Sequence, residues 1–247
     1  MENRFVAALA PAISLLLMSC PARAFRPFDG TDGSVAEYHT FELEAGTLGY
    51  LRDGKTTYSA PSQILNYGAI ERVELVLELH ERMPSLGTPG PRFGLVDDGA
   101  FVKTVLIEGA LQGKRGPSLA LEVGALLPTV HGEPGAGASA ALIGSVVTPL
   151  VKFHLNLEAA RTRAENADLS VDGILEGPAL LWRVRPVAEL IYEREFYAET
   201  LASALLGFID PLSESFALDG AARLGSRDHE RLFEVRAGFT WSYTLAR

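Results

Sequence analysis

Five histidines, His39, His80, His131, His154 and His229, are the side chains best suited to proton transfer or metal ligation near neutral pH. No two of them stand at i+2, i+3 or i+4, so the sequence carries no local zinc or iron signature and no metal site is expected. Asp228-His229-Glu230 is the richest cluster, and it reads as a solvated turn. A serine hydrolase needs a serine hydrogen-bonded to a histidine that a third group orients. His154 falls on the polar side of a strand-like pattern, with Ser170 in the neighbouring segment; Ser118, Ser139, Ser145, Ser203 and Ser213 are further candidates. There is no G-x-S-x-G elbow and no His-x-Ser pair. Gly132-Glu133-Pro134-Gly135-Ala136-Gly137 lacks the Lys-Ser/Thr of a phosphate loop and reads as a loop. No catalytic residue and no cofactor is therefore expected, and the chain reads as a non-enzyme.

Composition narrows the class. The formal charge is −9 and no basic stripe is present, which argues against a nucleic-acid partner. With 47% hydrophobic and 21% charged residues, the chain has the composition of a folded protein. Arg4, the mostly apolar run Phe5 to Met18, and Ala22-Arg23-Ala24 together have the layout of a secretory signal peptide. The expected organisation is a signal peptide over 1–24, an irregular periplasmic lead-in over 25–40, and an outer-membrane β-barrel over 41–247. A buried N-terminal helix, or lipidation at Cys20, are the alternatives for the first segment. Cys20 is the one cysteine, so a processed chain would hold no thiol and no disulfide. No later run reaches the roughly 18 uncharged apolar residues of a spanning helix, so any membrane crossing falls to strands.

The rest of the chain has period two. In Val73-Glu74-Leu75-Val76-Leu77-Glu78-Leu79-His80 apolar and acidic residues take opposite sides, and Phe233 to Leu245 alternates in the same way. Twelve such segments run over 41–51, 57–67, 73–82, 99–112, 118–127, 138–148, 151–162, 169–180, 186–195, 200–209, 215–224 and 232–245. Their length of about 10 to 14 residues suits an antiparallel transmembrane barrel of about 12 strands. Aromatics such as Phe239, Trp241 and Tyr243 suit a membrane interface. The polar faces hold the candidate lumen-facing residues Glu74, Glu78, Glu122, Lys152, His154, Glu158, Arg183, Arg185, Glu189, Asp219, Arg223, Glu234 and Arg236. Charges of both signs facing one another predict a filled interior and little conductance. The loop-like connections 83–98, 128–137 and 225–231 all fall at one end, which predicts both termini in the periplasm. Two stretches resist. Tyr197, Leu201, Leu205 and Phe208 also fit a helical stripe, and Lys103 shares a side with Phe101 and Val105.

Arg26-Pro27-Phe28-Asp29-Gly30-Thr31-Asp32, Phe41-Glu42-Leu43-Glu44, Leu48-Gly49-Tyr50-Leu51 and Leu65-Asn66-Tyr67-Gly68 occur in this order. His154-Leu155-Asn156, Arg185-Pro186-Val187-Ala188-Glu189 and the closing Ala237-Gly238-Phe239-Thr240-Trp241 follow. The set resembles a family of bacterial outer-membrane proteins, often labelled transporters and grouped under the MetA pathway of phenol degradation. The resemblance implies an outer-membrane barrel that passes small compounds, aromatic ones included, with no catalytic residues to carry over. The expected partners are outer-membrane lipid, the barrel-assembly machinery and a small hydrophobic substrate, for a monomer. This chain departs from many such barrels in ending Tyr243-Thr244-Leu245-Ala246-Arg247 rather than on an aromatic. Two other readings stay open at this point: a soluble periplasmic β-barrel or sandwich around an apolar ligand, and an outer-membrane acyl hydrolase with a serine near His80, His154 or His229.

Overall fold

The computed structural model describes residues 26–84, 93–131, 134–180 and 183–245. Within them lie β1 (Thr40–Asp53), β2 (Thr56–Ser59), β3 (Ser62–Ile70), β4 (Val73–Pro84), β5 (Gly94–Ile107), β6 (Ser118–Leu126), β7 (Gly137–Val147), β8 (Lys152–Arg161), β9 (Ala167–Glu176), β10 (Arg185–Glu195), β11 (Thr200–Pro211), β12 (Phe216–Arg227) and β13 (Glu230–Thr244). Sequential strands pair antiparallel, and β13 pairs back onto β1, with Thr40 opposite Thr244 and Asp53 opposite Leu232. β2 and β3 are halves of one stave, since each lies between β1 and β4. The break falls at Ala60-Pro61, where proline has no N–H for the ladder. The result is a closed antiparallel barrel of twelve staves. Closure leaves no strand edge unpaired, as hydrocarbon requires. No helix of the described residues is long and apolar enough to cross a membrane.

The end carrying Thr40 and Thr244 is called proximal below, and the other end distal. The two sides of the wall are inverted relative to a soluble barrel. Leu75, Leu142, Leu190, Leu206 and Leu224 point outward and are exposed, whereas Glu44, Glu74, His154, Glu189 and Asp219 point inward and are buried. This excludes a sandwich that buries its apolar strand faces against each other. Exterior aromatics fall into two belts. Phe41 stacks on Tyr67, and Trp241 on Tyr243, near the proximal end. Tyr50 meets Phe233 edge-on near the distal end, with Tyr192 on the same side. Between the belts the outer surface is aliphatic, the arrangement of a lipid-spanning barrel.

Several boundaries shift from the periodicity. The stretch 196–209, despite its helical stripe, is strand from Thr200, the start expected from alternation, and the strand runs on to Pro211. Lumen-facing Leu201, Leu205 and Ile209 are separated by the small Ser203 and Gly207, so a strand acquires bulky residues at every fourth position. β5 begins at Gly94 rather than 99. Asp97-Asp98-Gly99 looks like a turn, but Asp97 and Asp98 form a bulge opposite Leu79, where Asp98 Oδ1 accepts the His80 amide at 3.0 Å. It ends at Ile107, and 110–112 form a short 3-10 turn. The loop expected over 225–231 is a two-residue turn: Asp228 and His229 take φ of 46° and 70°, as a tight hairpin needs. The longer proximal connection between Ile107 and Ser118 further weakens the loop asymmetry used to orient the barrel. The signal-peptide reading and Cys20 lie outside the described residues.

Replacing the mid-wall, outward Leu190 with Arg places a charge in the aliphatic band. The expected cost is about 2–4 kcal/mol of unfolding free energy, measured by denaturant titration in lipid vesicles. A substitution that proved neutral there would contradict a lipid-facing exterior.

Candidate functional site

The lumen is filled from the proximal side by the chain's own residues 26–39. This lead-in is irregular, and it runs inside the barrel. Five of its backbone amides are satisfied by side chains of the wall rather than by secondary structure. Asp29 and Gly30 N–H donate to Glu189 Oε1 at 3.0 and 2.9 Å. Thr31 N–H donates to Asn156 Oδ1 at 3.1 Å, Gly33 N–H to Ser145 Oγ at 2.8 Å, and Ala36 N–H to Glu74. The wall also donates back. Asn156 Nδ2 reaches the Thr31 carbonyl at 2.9 Å, Gln112 Nε2 the Gly33 carbonyl at 2.8 Å, and Lys103 Nζ the Thr31 hydroxyl at 2.7 Å. A Cβ on Gly33 would stand 3.0 Å from Ser145 Oγ, so the segment comes this near the wall because glycine is there.

Two side chains anchor the segment. Phe28 enters an apolar patch of Ile174, Val187, Leu205, Ile209, Ala217 and Ala221 on β9 to β12. Burying a phenylalanine in this way contributes about 1.5–3 kcal/mol. Asp29 is held by Arg223 and by Arg236, whose Nη1 lies 2.6 Å from Asp29 Oδ1. Arg223 also reaches Glu189 at 2.9 Å, and Arg236 reaches Glu234 at 2.7 Å. Asp29 faces the remaining cavity yet sits deep within the barrel. That burial raises its carboxyl, but the guanidinium charges of Arg223 and Arg236 outweigh it and hold the group well below the usual carboxylate range. Arg26, buried between strands, pairs with Asp219 at 3.4 Å and donates to Ser62 Oγ at 2.9 Å.

Ser145, His154 and Glu176 form a chain of the kind that serves hydrolysis elsewhere. Ser145 Oγ lies 2.8 Å from His154 Nδ1, and His154 Nε2 lies 3.2 Å from Glu176 Oε1. Glu176 is also bound by Lys152 at 3.1 Å and Arg185 at 2.7 Å, so Nε2–H donates to it and Nδ1 accepts from Ser145. Ser145 Oγ in turn accepts the Gly33 amide. His154 is fully buried and Ser145 nearly so, and no substrate carbonyl has room beside them. The three residues position the plug. Pairing between β7 and β8 sets Ser145 opposite His154, a contact that no motif spacing signals.

Of the other lumen candidates, Glu74 pairs with Lys103 at 3.6 Å. Glu78, Glu122 and Glu158 line a cavity of about 910 Å³ between the plug and the distal mouth. Arg183 does not join the interior: it precedes β10 and pairs with Asp210 at the proximal rim, because its segment is a connection rather than a strand. Glu42, Glu44, Lys103, Asn156, Asp172 and Glu176 are inward residues that the candidate set omitted. Five of the six sit at alternate positions of strands already legible from periodicity, and Lys103 lies in the stretch where alternation is mixed. The plug itself left only one signal, the polar and glycine-rich composition of residues 26–37.

Cross-strand register orders the polar residues. Glu74, Lys103, Glu122, Ala141, Glu158, Ser170, Glu193, Leu201 and Arg227 are directly opposite one another from strand to strand. Glu74 is one residue from the proximal end of β4, and Arg227 is the last residue of β12 at the distal end. Because barrel strands tilt, this row climbs the whole wall.

Among solved structures, the COG4313 outer membrane channel from Pseudomonas putida F1 matches with a TM-score of 0.60 at 9% identity, over 87% of this chain and 100% of that one. The KdgM porin in complex with disordered oligogalacturonate matches with a TM-score of 0.54 at 10% identity, over 83% of this chain and 99% of that one. No protein-family model and no curated protein matches the sequence. The shared feature is the fold, a closed antiparallel β-barrel.

Arg223→Met leaves Glu189 and Asp29 facing a lumen without that cation. The expected cost is about 3–5 kcal/mol in denaturant unfolding. Asp29 has a depressed folded value, so its contribution to plug docking is complete above the ordinary carboxylate range and is lost only as pH falls through that depressed value. The difference in protease resistance of residues 26–36 between the parent and Asp29→Asn should therefore stay constant from neutral pH to about pH 4. A difference that vanishes across that interval would contradict the clamp.

Proposed function

We propose that this chain is an outer-membrane channel for small solutes, held closed at rest by its own residues 26–39, with both termini on the periplasmic side. The observation that carries this reading is the lumen-crossing plug, whose amides and charged side chains are bonded to seven or more staves of the wall. A purely structural barrel has no use for a removable obstruction, whereas a gated one does. Solute would enter the distal cavity and pass when the plug withdraws toward the proximal end. The likeness in fold to porins and channels and the aliphatic exterior with two aromatic belts support the location.

The resemblance to the MetA-pathway group adds small aromatic or hydrophobic compounds as the class of solute. One observation favours a solute with an apolar body. Leu51, Ile191, Leu201 and Leu232 form a buried patch with Tyr58 and Ala60 against it, and most of these residues border the distal cavity. The acyl-hydrolase reading has the Ser145–His154–Glu176 chain in its favour and the absence of access against it.

Planar-bilayer recording on purified protein tests the proposal. The intact chain is expected to be closed or nearly so, and a variant lacking residues 26–36 to show stepwise conductance. A folded deletion variant that stays silent would sink the gating idea. So would an intact chain that conducts as freely as the deletion. Recovery of the protein in plain buffer without detergent would remove the membrane location itself.

A further inference from the structure

We propose that the distal cavity binds an extended organic cation, one that carries more than one ammonium group on an apolar body. This rests on the channel reading for the route by which the cation arrives, while the binding site itself is defined by the wall.

The cations of the lumen are already committed. Arg223 and Arg236 hold Asp29, Glu189 and Glu234, and Lys103 holds Glu74. At the mouth, Arg163 pairs with Asp97 and Arg227 with Asp53 and Glu199. Several carboxylates that line the cavity are left over, and five of them carry the argument: Glu78, Glu122, Glu158, Asp172 and Glu193. Among the described residues, none of the five stands in an ion pair. Asp172 is the sharpest case. It is 8% exposed, borders the cavity next to the plug, and its Oδ1 has no hydrogen-bond partner. A buried carboxylate oxygen without a partner is costly, and such a cost persists where a ligand recovers it.

The spacing selects the kind of cation. Glu122, Glu158 and Glu193 fall on every second stave of the climbing row. Neighbouring strands are about 4.8 Å apart, so these carboxylates repeat at roughly 10 Å along the wall. They do not converge on a point, and the described residues contain no group able to hold a metal ion. A compact ion would meet one carboxylate at a time, whereas a chain with separated ammonium groups meets several. The apolar wall of Leu51, Ile191, Leu201 and Leu232 borders the same cavity and suits the carbon body between those groups.

Calorimetric titration of the intact barrel in detergent provides the test, with diaminooctane as probe and octanediol and octanedioate as its uncharged and anionic counterparts. The diamine is expected to bind at least about tenfold more tightly than either. Asp172→Asn, alone and combined with Glu158→Gln, should weaken it about tenfold or more, while Glu108→Gln, on the outer proximal surface, should leave it unchanged. Heat-modifiable migration on a detergent gel verifies that each variant is folded. Absence of diamine binding, equal binding of the diol, or folded lumen variants that bind as the parent does would each overturn the proposal. Because the titration uses the closed barrel, its outcome is independent of conductance. A plug deletion that conducts beside a cavity that ignores the diamine would remove the cation and keep the channel. A silent deletion beside a cavity that binds it would do the reverse.

Discussion

Asp29 sits between Arg223 and Arg236, two guanidiniums from adjacent strands deep inside a closed wall. Two buried cations side by side repel, and each needs a counter-ion. The wall supplies Glu189 to Arg223 and Glu234 to Arg236. The carboxylate that bridges the two guanidiniums comes instead from the segment that precedes the barrel. The clamp is thus completed by the plug, and the plug in turn leans on the wall, since its amides bond to Glu189, Asn156, Ser145 and Glu74. The two parts specify each other, and the interior is built around that mutual need.

The same division runs through the staves. Outward positions are chosen for hydrocarbon and inward ones for a dense mixture of charge, hydroxyl and small apolar groups. Phe28 needs a pocket, so β9 to β12 turn Ile174, Leu205 and Ile209 inward where other barrels carry polar residues. His154 illustrates the cost of misreading such an interior. Taken by itself it sits in a hydrolase-like chain, yet each of its neighbours is committed to holding Gly33 or to neutralising Glu176.

The wall was legible in the sequence because alternation is a local property. Val73 to His80 or Phe233 to Leu245 declares its two faces without reference to any other strand. The ambiguities and errors fall where locality fails. At Leu201, Leu205 and Ile209 an inner face made of alternating bulky and small residues imitates a helix. At Asp97-Asp98 a bulge imitates a turn. The plug was hidden for a deeper reason. Arg26-Pro27-Phe28-Asp29-Gly30 has no periodicity, and its place depends on partners more than a hundred residues away. A composition rich in glycine and aspartate describes an exterior linker and a lumen plug equally well.

The climbing row has a geometric consequence. A wall built from tilted strands has no direction that is purely around or purely along it. Glu122, Glu158 and Glu193 therefore form a thread, like that of a screw. A particle handed from one carboxylate to the next cannot circle the lumen without also travelling down its axis. At the lower end of the thread stands the plug's own contact with Lys103 and Glu74, so the row of carboxylates ends on the segment that fills the lumen.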